Sequence, residues 1–306
     1  MNAKLSRFTL VLSIIVVAIG VPLLFIPWNN TYEPRSLKEI WNFGHVILFA
    51  CSTVLLSAYW QWFRDRAFEL QIAVLLVLVL VLGMGIEIIQ LHTGGDFSLK
   101  DVYLDAAGAC LAAAIKPRCN GLLMKYSPWL VLLVVLSYLL VRAYPVGISL
   151  VDEYQARRQF PVLAGFDSGL ELGRFGNSPR LKLTDHGLQV NFGTEQYSGF
   201  ALKYFPGDWR GFHYLNIDIQ NPGDDEVFLT CRIHDQHHNQ AYDDRYNGRF
   251  RVIPGMQTIK IDLNAVRSAP RTRTMDMERI GGLGCFTVRL PAPRILIIRK
   301  IALSNN

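Results

Sequence analysis

Five polar side chains interrupt the apolar N-terminal half of the sequence at spacings that could form one site. Glu87 and Gln90 are three residues apart and Asp101 and Asp105 are four apart, so each pair would share a helix face. His45 lies in an earlier apolar run. A carboxyl group shielded from water beside a histidine could exchange protons near neutral pH. The pattern would therefore suit acid–base chemistry, with Glu87 as proton donor or acceptor and His45 as its partner, or a polar pocket that only binds.

Structural roles are open for the same residues. Asp101 could cap the helix that it begins, Gln90 could be solvated near the lipid headgroups, and His45 could bond to a neighbouring helix. Glu87 is surrounded by apolar residues in "LVLVLVLGMGIEIIQL", and polar groups at membrane depth usually face a cavity or one another. A structural hydrogen bond between Glu87 and His45 remains the alternative to catalysis.

A second polar group occupies one stretch of the C-terminal half. Its members are His234, Asp235, His237, His238, Tyr242, Asp243, Asp244 and Arg245. A flat aromatic ring beside planar polar groups would suit a glycan, whereas carboxylates suit Ca²⁺ and imidazoles suit zinc. The third alternative is a solvated loop in which Asp and Arg residues pair locally.

The elements that must position the first group are predicted membrane helices. A bilayer core of about 30 Å needs roughly 20 apolar residues, and residues 8–27, 40–60, 70–91 and 129–144 meet or approach that length. Residues 102–115 form a shorter fifth run that is rich in Ala and Gly, which permit close helix packing. We expect five spans, with a re-entrant or interfacial helix as the alternative for the fifth.

Positive charge predicts the orientation of these spans. With the N-terminus inside, the inner segments hold seven Lys and Arg residues and the short outer loops hold three, as cytoplasmic loops prefer. The first run is long for a signal peptide and lacks a clear small-residue cleavage site, so we expect a retained anchor. His45, Glu87, Gln90, Asp101 and Asp105 would then meet near the outer surface, with the C-terminal domain outside.

The remaining chain has a different pattern. Short alternating segments such as "GLQVNF", "HYLNIDIQN", "EVFLTCRIHD" and "RILIIRKIAL" are separated by turn signals, which predicts an antiparallel sandwich of jelly-roll type. We therefore divide the chain into a helical transmembrane domain at 1–145, a linker at 146–160 and an all-β domain at 161–306. Cys231 and Cys285 could pair in an oxidising compartment or remain as core thiols.

Composition and motifs exclude several functions. The net charge of +6 is spread over both halves and forms no concentrated basic face, so we expect no nucleic-acid partner. No G-x-G-x-x-G after a strand, GK[ST] or G-x-S-x-G motif is present, and we expect no cofactor. Transport is disfavoured because five spans show no evident internal repeat.

Three parts of the membrane half carry a family resemblance. His45, "EIIQ" at 87–90 and "SLKDVYLDAAG" at 98–108 resemble the VanZ-like family of bacterial membrane proteins, named for a teicoplanin-resistance factor. The resemblance covers about residues 8–145 and implies a cell-envelope setting. Two positions differ, since Gly95 stands where relatives commonly have Arg, and Asp105 where they often have Asn. The change makes the pocket more acidic and less suited to an anion.

The C-terminal half resembles carbohydrate-binding, galactose-binding-like sandwiches over most of residues 160–304. In that resemblance, "RIHD" and "YDDRYNGRF" read as a strand, a polar loop and the next strand. Together the two resemblances imply a protein of the bacterial inner membrane whose outer sandwich and membrane pocket bind an envelope glycan or glycolipid. The alternative is a membrane enzyme that acts on a lipid-linked or cell-wall precursor. The oligomeric state stays open.

Overall fold

The computed structural model describes residues 3–25, 32–92, 97–115, 127–176 and 180–306. The chain forms two compact units, Met1–Gly147 and Ile148–Asn306. The first is helical and the second is mainly β-structure.

The helical unit is built from long apolar helices. The helices are α1 (Ala3–Leu24), α2 (Arg35–Tyr59), α3 (Gln61–Arg64), α4 (Phe68–His92), α5 (Leu99–Ile115) and α6 (Ser127–Gln159). Among the residues that the structure describes, four segments are long and apolar enough to cross a membrane, namely Arg7–Leu24, Arg35–Tyr59, Phe68–His92 and Ser127–Gln159. At 17 residues, α5 is shorter than the roughly 20 residues that a bilayer needs. Its role as a fifth span stays a prediction.

Small residues let α5 pack closely against its neighbours. A Cβ atom on Gly108 would overlap the backbone of Val46 in α2, so the two helix backbones touch at this point. On α4, a Cβ atom on Gly83 would lie 3.0 Å from Asp105 Oδ2. Ala107, Ala109 and other small residues of α5 are buried, as the composition of this segment predicts.

The predicted linker at 146–160 is helical, because α6 continues to Gln159. Ser149, Asp152 and Ala156 are buried at spacings of three and four residues, which is the repeat of a helix face. Asp152 accepts hydrogen bonds from the fully buried guanidinium of Arg174, which also donates to the carbonyl of Leu163. The polar composition of this segment thus reflects a buried ion pair within the second unit.

The second unit is an antiparallel sandwich of ten strands among the described residues. They are β1 (Val162–Ala164), β2 (Leu181–Thr184), β3 (Gly187–Phe192), β4 (Ser198–Leu202), β5 (Tyr214–Asn221), β6 (Val227–Asp235), β7 (Tyr246–Val252), β8 (Gly255–Asp262), β9 (Ile280–Thr287) and β10 (Arg294–Ser304). One sheet has the order β2-β3-β10-β5-β8, with β1 also on β10, and the other has the order β4-β9-β6-β7. From β3 onward, every connection except the β6–β7 hairpin passes between the sheets. This is the predicted jelly-roll arrangement.

The core lies between the two sheets. Alternate residues point inward, as with Leu215, Ile217 and Ile219 of β5, which are fully buried. Cys231 and Cys285 stand opposite each other on β6 and β9 and form a disulfide. The sequence indicated most strands. It did not indicate the first residues of β9, "IGGLG", because glycine is a weak signal for a strand.

Candidate functional site

Most of the predicted polar residues of the helical unit form hydrogen bonds to other elements. His45 Nδ1 on α2 lies 2.9 Å from Asp105 Oδ1 on α5, and both side chains are buried. This contact occurs three residues from Gly108, beside the point where the two backbones touch. The close packing of α5 on α2 therefore brings the imidazole and the carboxylate together.

Glu87 has a different partner from the one that we predicted. Its carboxylate accepts a hydrogen bond of 2.6 Å from the backbone N–H of Ser98, just before α5, and its side chain is buried. The direct partner of His45 is Asp105, with Glu87 and the half-buried Asp101 near enough to interact electrostatically. The reason is geometric, since Asp105 lies in the second turn of α5 and reaches α2, whereas Glu87 satisfies an N–H at the start of α5.

Gln90 links a third helix to this region. Its amide donates a 2.7 Å hydrogen bond to the carbonyl of Leu24, at the end of α1. His45, Glu87, Gln90 and Asp105 thus each contact a backbone or side chain of another element. Gly95, where the family resemblance would place an arginine, lies outside the described residues. These separate hydrogen bonds connect α1 to α4, α2 to α5, and α4 to the residue just before α5, and one of them is a histidine–carboxylate pair that could move a proton.

The predicted loop in the sandwich is organised by an arginine that the sequence analysis did not select. Arg273 donates to both oxygens of Asp235 and to both oxygens of Asp244. The backbone N–H groups of Asp276 and His237 also donate to Asp235, and the backbone N–H of Asn239 donates to Asp244. The pairing is long-range in sequence, which is why local spacing could not identify it.

Charge stabilises both carboxylates in their ionised form. The Arg273 hydrogen bonds hold the pKa of Asp244 at about 2, below its usual value. Burial is the largest influence on Asp235 and would raise its pKa, but the hydrogen bonds from Arg273 and from the backbone N–H groups of Asp276 and His237, together with the charge of Arg273, lower it overall. Asp235 is fully buried and Asp244 nearly so. Neither carboxylate is therefore available to a glycan, and their role is to fix the loop.

The histidines of this loop are also mostly engaged. His234 and His238 stack with ring centroids 4.9 Å apart, and burial lowers the pKa of His234. His238 is buried, with Nδ1 3.0 Å from the carbonyl of Asp244. His237 and Asp243 are exposed. Within the described ranges, no group of three or more His, Cys, Asp or Glu residues could hold a metal ion.

A groove with a volume of about 780 Å³ lies on the outer face of the four-stranded sheet. Core residues such as Leu202, Cys231 and Cys285 point inward, so their neighbours in each strand point outward into the groove. Ala201, Gly284 and Arg232 lie side by side across three strands, and Gly199, Phe286 and Thr230 form the next row. The small residues make the floor of the groove.

Aromatic rings and cations line the same groove. Tyr242 is 72% exposed and Tyr197 is 63% exposed, and Tyr197 meets Phe286 edge-on with centroids 5.5 Å apart. The guanidinium of Arg245 lies 5.5 Å from the centroid of the Tyr242 ring. Of the predicted glycan-binding residues, Tyr242 and Arg245 line the groove.

The sequence analysis missed the other lining residues. Tyr197, Arg232 and Phe286 occupy outward positions of strands or strand ends, and their only sequence signal is the two-residue alternation. That alternation assigns them to the surface but does not show that three strands bring them together.

Comparison with protein families finds a match in the helical part of the chain. Residues 5–120 match the family model VanZ/LLP1, so the VanZ-like resemblance is confirmed there. No curated protein matches the chain.

Solved structures similar to this chain include glycan-associated proteins. A family 11 carbohydrate-binding module from Clostridium thermocellum, in complex with a beta-1,3-1,4-mixed-linked tetrasaccharide, is 17% identical, with a TM-score of 0.38, 47% of this chain and 94% of that chain covered. A non-crystalline cellulose-specific module of family 28 is 8% identical, with a TM-score of 0.34 and coverages of 47% and 93%. An agarase is 15% identical, with a TM-score of 0.39 and coverages of 47% and 26%.

Proposed function

We propose that this protein binds a glycan of the bacterial cell envelope in the groove of its sandwich. The observation that carries the proposal is the groove itself, where exposed Tyr197 and Tyr242 rings stand above a floor of Gly199, Ala201 and Gly284. Exposed aromatic surface beside a few polar groups is typical of a binding site. Its volume of about 780 Å³ is in the range of small-ligand sites and suits a few sugar units.

Ring truncation in the full-length chain tests the proposal. We expect Tyr242→Ala and Tyr197→Ala each to weaken binding to an envelope polysaccharide by about 1–2 kcal/mol, or roughly 5- to 30-fold, measured in lipid nanodiscs. Tyr154→Ala is the matched control, because Tyr154 is 62% exposed on α6 and does not line the groove. Binding that survives both groove substitutions, or that Tyr154→Ala weakens equally, would remove the groove from the proposal.

The proposed location is the inner membrane, with the N-terminus in the cytoplasm and the sandwich in the periplasm. The excess of Lys and Arg in the predicted inner segments supports this orientation. The Cys231–Cys285 disulfide supports it independently, since disulfides persist in oxidising compartments. Protease added to intact spheroplasts should then digest the sandwich, and protection until the membrane is permeabilised would reverse the assignment.

The second candidate is a membrane enzyme that acts on a lipid-linked or cell-wall precursor. The buried His45–Asp105 hydrogen bond favours it, because a carboxylate that orients an imidazole is a common acid–base arrangement. Glu87 would serve as a nearby second acid. With a labelled lipid-linked precursor as substrate, His45→Gln should abolish turnover and leave precursor binding intact. Unchanged turnover in that variant would exclude His45 from catalysis.

A further inference from the structure

The charges in the sandwich groove all have the same sign. Lys203, Arg232 and Arg245 line it, and no carboxylate does among the lining residues that the structure describes. The nearest acids in sequence are turned elsewhere, since Asp244 is bound by Arg273 and the exposed Asp243 is not part of the lining. The groove is therefore a positively charged surface.

Arg232 occupies the centre of this surface. Its side chain lies across Gly284, where an added Cβ atom would be 3.0 Å from Nε and 3.5 Å from Cγ. It is half-buried, and its neighbours across the strands are Gly284 and Asn247. The glycine thus makes room for the guanidinium to lie flat on the floor of the groove.

Among the described residues, no carboxylate forms an ion pair with the guanidinium of Arg232. Burial lowers its pKa, and the charge of Arg245 lowers it further, while no carboxylate within the described residues acts on it. Elsewhere in the sandwich, the buried Arg174 and the half-buried Arg273 are paired with carboxylates. Holding a partly desolvated cation beside a second cation is unfavourable for folding alone, which indicates that a ligand supplies the missing negative charge.

We propose that the groove selects anionic glycans, whose repeating units carry a carboxylate or a sulfate that pairs with Arg232 and Arg245. The guanidinium plane presents two parallel donors that match the oxygens of either group. Tyr197, Tyr242 and Phe286 would contact the sugar rings. The proposal rests on glycan binding in the groove and specifies the chemical class of the glycan.

Pairs of polysaccharides that have the same sugar backbone and differ in charge test this proposal. Full-length protein in phosphatidylcholine nanodiscs is tested against polygalacturonate and its methyl ester, and against dextran sulfate and dextran, within a wider array of neutral and acidic polysaccharides. We expect the charged member of at least one pair to bind at least about 10-fold more tightly than its neutral counterpart, and this preference to shrink as salt is raised.

Variants then assign the preference to the groove. Arg232→Gln and Arg245→Gln should each weaken binding of the anionic polymer roughly 10- to 100-fold, as expected when a charged hydrogen bond is lost. Lys260→Gln, which removes an exposed cation from β8 in the other sheet, should leave it unchanged. The midpoint temperature of thermal unfolding of Arg232→Gln should be no lower than that of the wild type, because no carboxylate partner is lost.

The outcomes distinguish the selection of anionic glycans from glycan binding in general. Equal binding of the charged and neutral members, or equal losses in Lys260→Gln and Arg232→Gln, would overturn anionic selection and leave glycan binding in place. Binding of neutral polysaccharides alone would do the same. No binding across the array, with the protein folded, would overturn both.

Discussion

The two units bury their carboxylates with different partners. In the helical unit, Asp105 meets the imidazole of His45. In the sandwich, Asp152 meets Arg174, and Asp235 meets Arg273. An arginine is charged at every accessible pH, whereas a histidine changes charge near neutrality. Of these three pairs, the two in the sandwich are therefore permanent structural links, whereas the charge of the helical pair could respond to its surroundings.

The same comparison shows which polar side chains the fold buries and which it leaves accessible. In both units the sequence drew attention to acidic residues, and in both units the structure turns most of those residues inward. The groove of the sandwich is instead lined by tyrosines and cations such as Tyr242 and Arg232. Residues that fix the fold and residues that line the groove are thus different sets.

The largest effect is expected at the buried arginine of the sandwich. Arg174→Gln should lower the free energy of unfolding of the sandwich by about 3–5 kcal/mol, because the buried carboxylate of Asp152 loses its partner. Hydrogen exchange of the β10 amides would measure it. Arg210→Gln is the control, since Arg210 is 57% exposed in its pairs with Asp208 and Glu278 and should contribute less than about 1 kcal/mol. Equal losses would show that burial does not distinguish the pairs.

In the helical unit, the close approach of two helices is the most sensitive feature. Gly108→Ala should lower the free energy of unfolding in detergent by about 1–3 kcal/mol, because the new methyl group meets the Val46 backbone. Gly85→Ala, on α4, is the matched control. An added Cβ atom there meets nothing within 4 Å, so the change should be neutral or stabilising by up to about 1 kcal/mol. Similar behaviour of both variants would contradict the α2–α5 contact.

The His45–Asp105 pair should show an effect that depends on the substitution. Asp105→Leu removes the acceptor that faces His45 and should destabilise the helical unit by about 1–3 kcal/mol. Asp105→Asn retains an oxygen acceptor and should lose less than about 1 kcal/mol. Thermal unfolding of the two variants in the same detergent measures the difference. If Asn were as damaging as Leu, the negative charge rather than the hydrogen bond would stabilise the pair.

The weakest pH dependence near neutral pH is expected at the Arg273 cluster. The pKa of Asp244 is about 2 in the folded state, below the unfolded value of about 3.9. Its contribution to stability is therefore complete above about pH 4 and is lost as the pH falls toward 2. Denaturant unfolding should show no change from this cluster between pH 5 and 8. Below pH 4, Arg273→Gln should lose less additional stability than the wild type, and parallel losses would argue against the cluster.

The periodic features of this protein could be predicted from the sequence. Long apolar runs indicated the helices, and two-residue alternation indicated strands such as β3 and β5 and the jelly-roll class. These signals are local, because hydropathy and alternation depend on neighbours within one element. The sequence predicts a linker at 146–160 because this stretch is polar. In the structure it continues α6, and Asp152 pairs with Arg174, a contact that the local sequence does not reveal.

Contacts between distant residues decided the rest. The sequence could select His45 and Asp105 as polar residues at similar depth, but only the packing at Gly108 pairs them. Likewise, the sequence drew attention to Asp235 as a surface residue, and only the fold brings Arg273 to it from 38 positions away. Composition and periodicity determine which face of an element is apolar. Which side chains meet across elements depends on register and helix approach, and those are properties of the assembled tertiary structure.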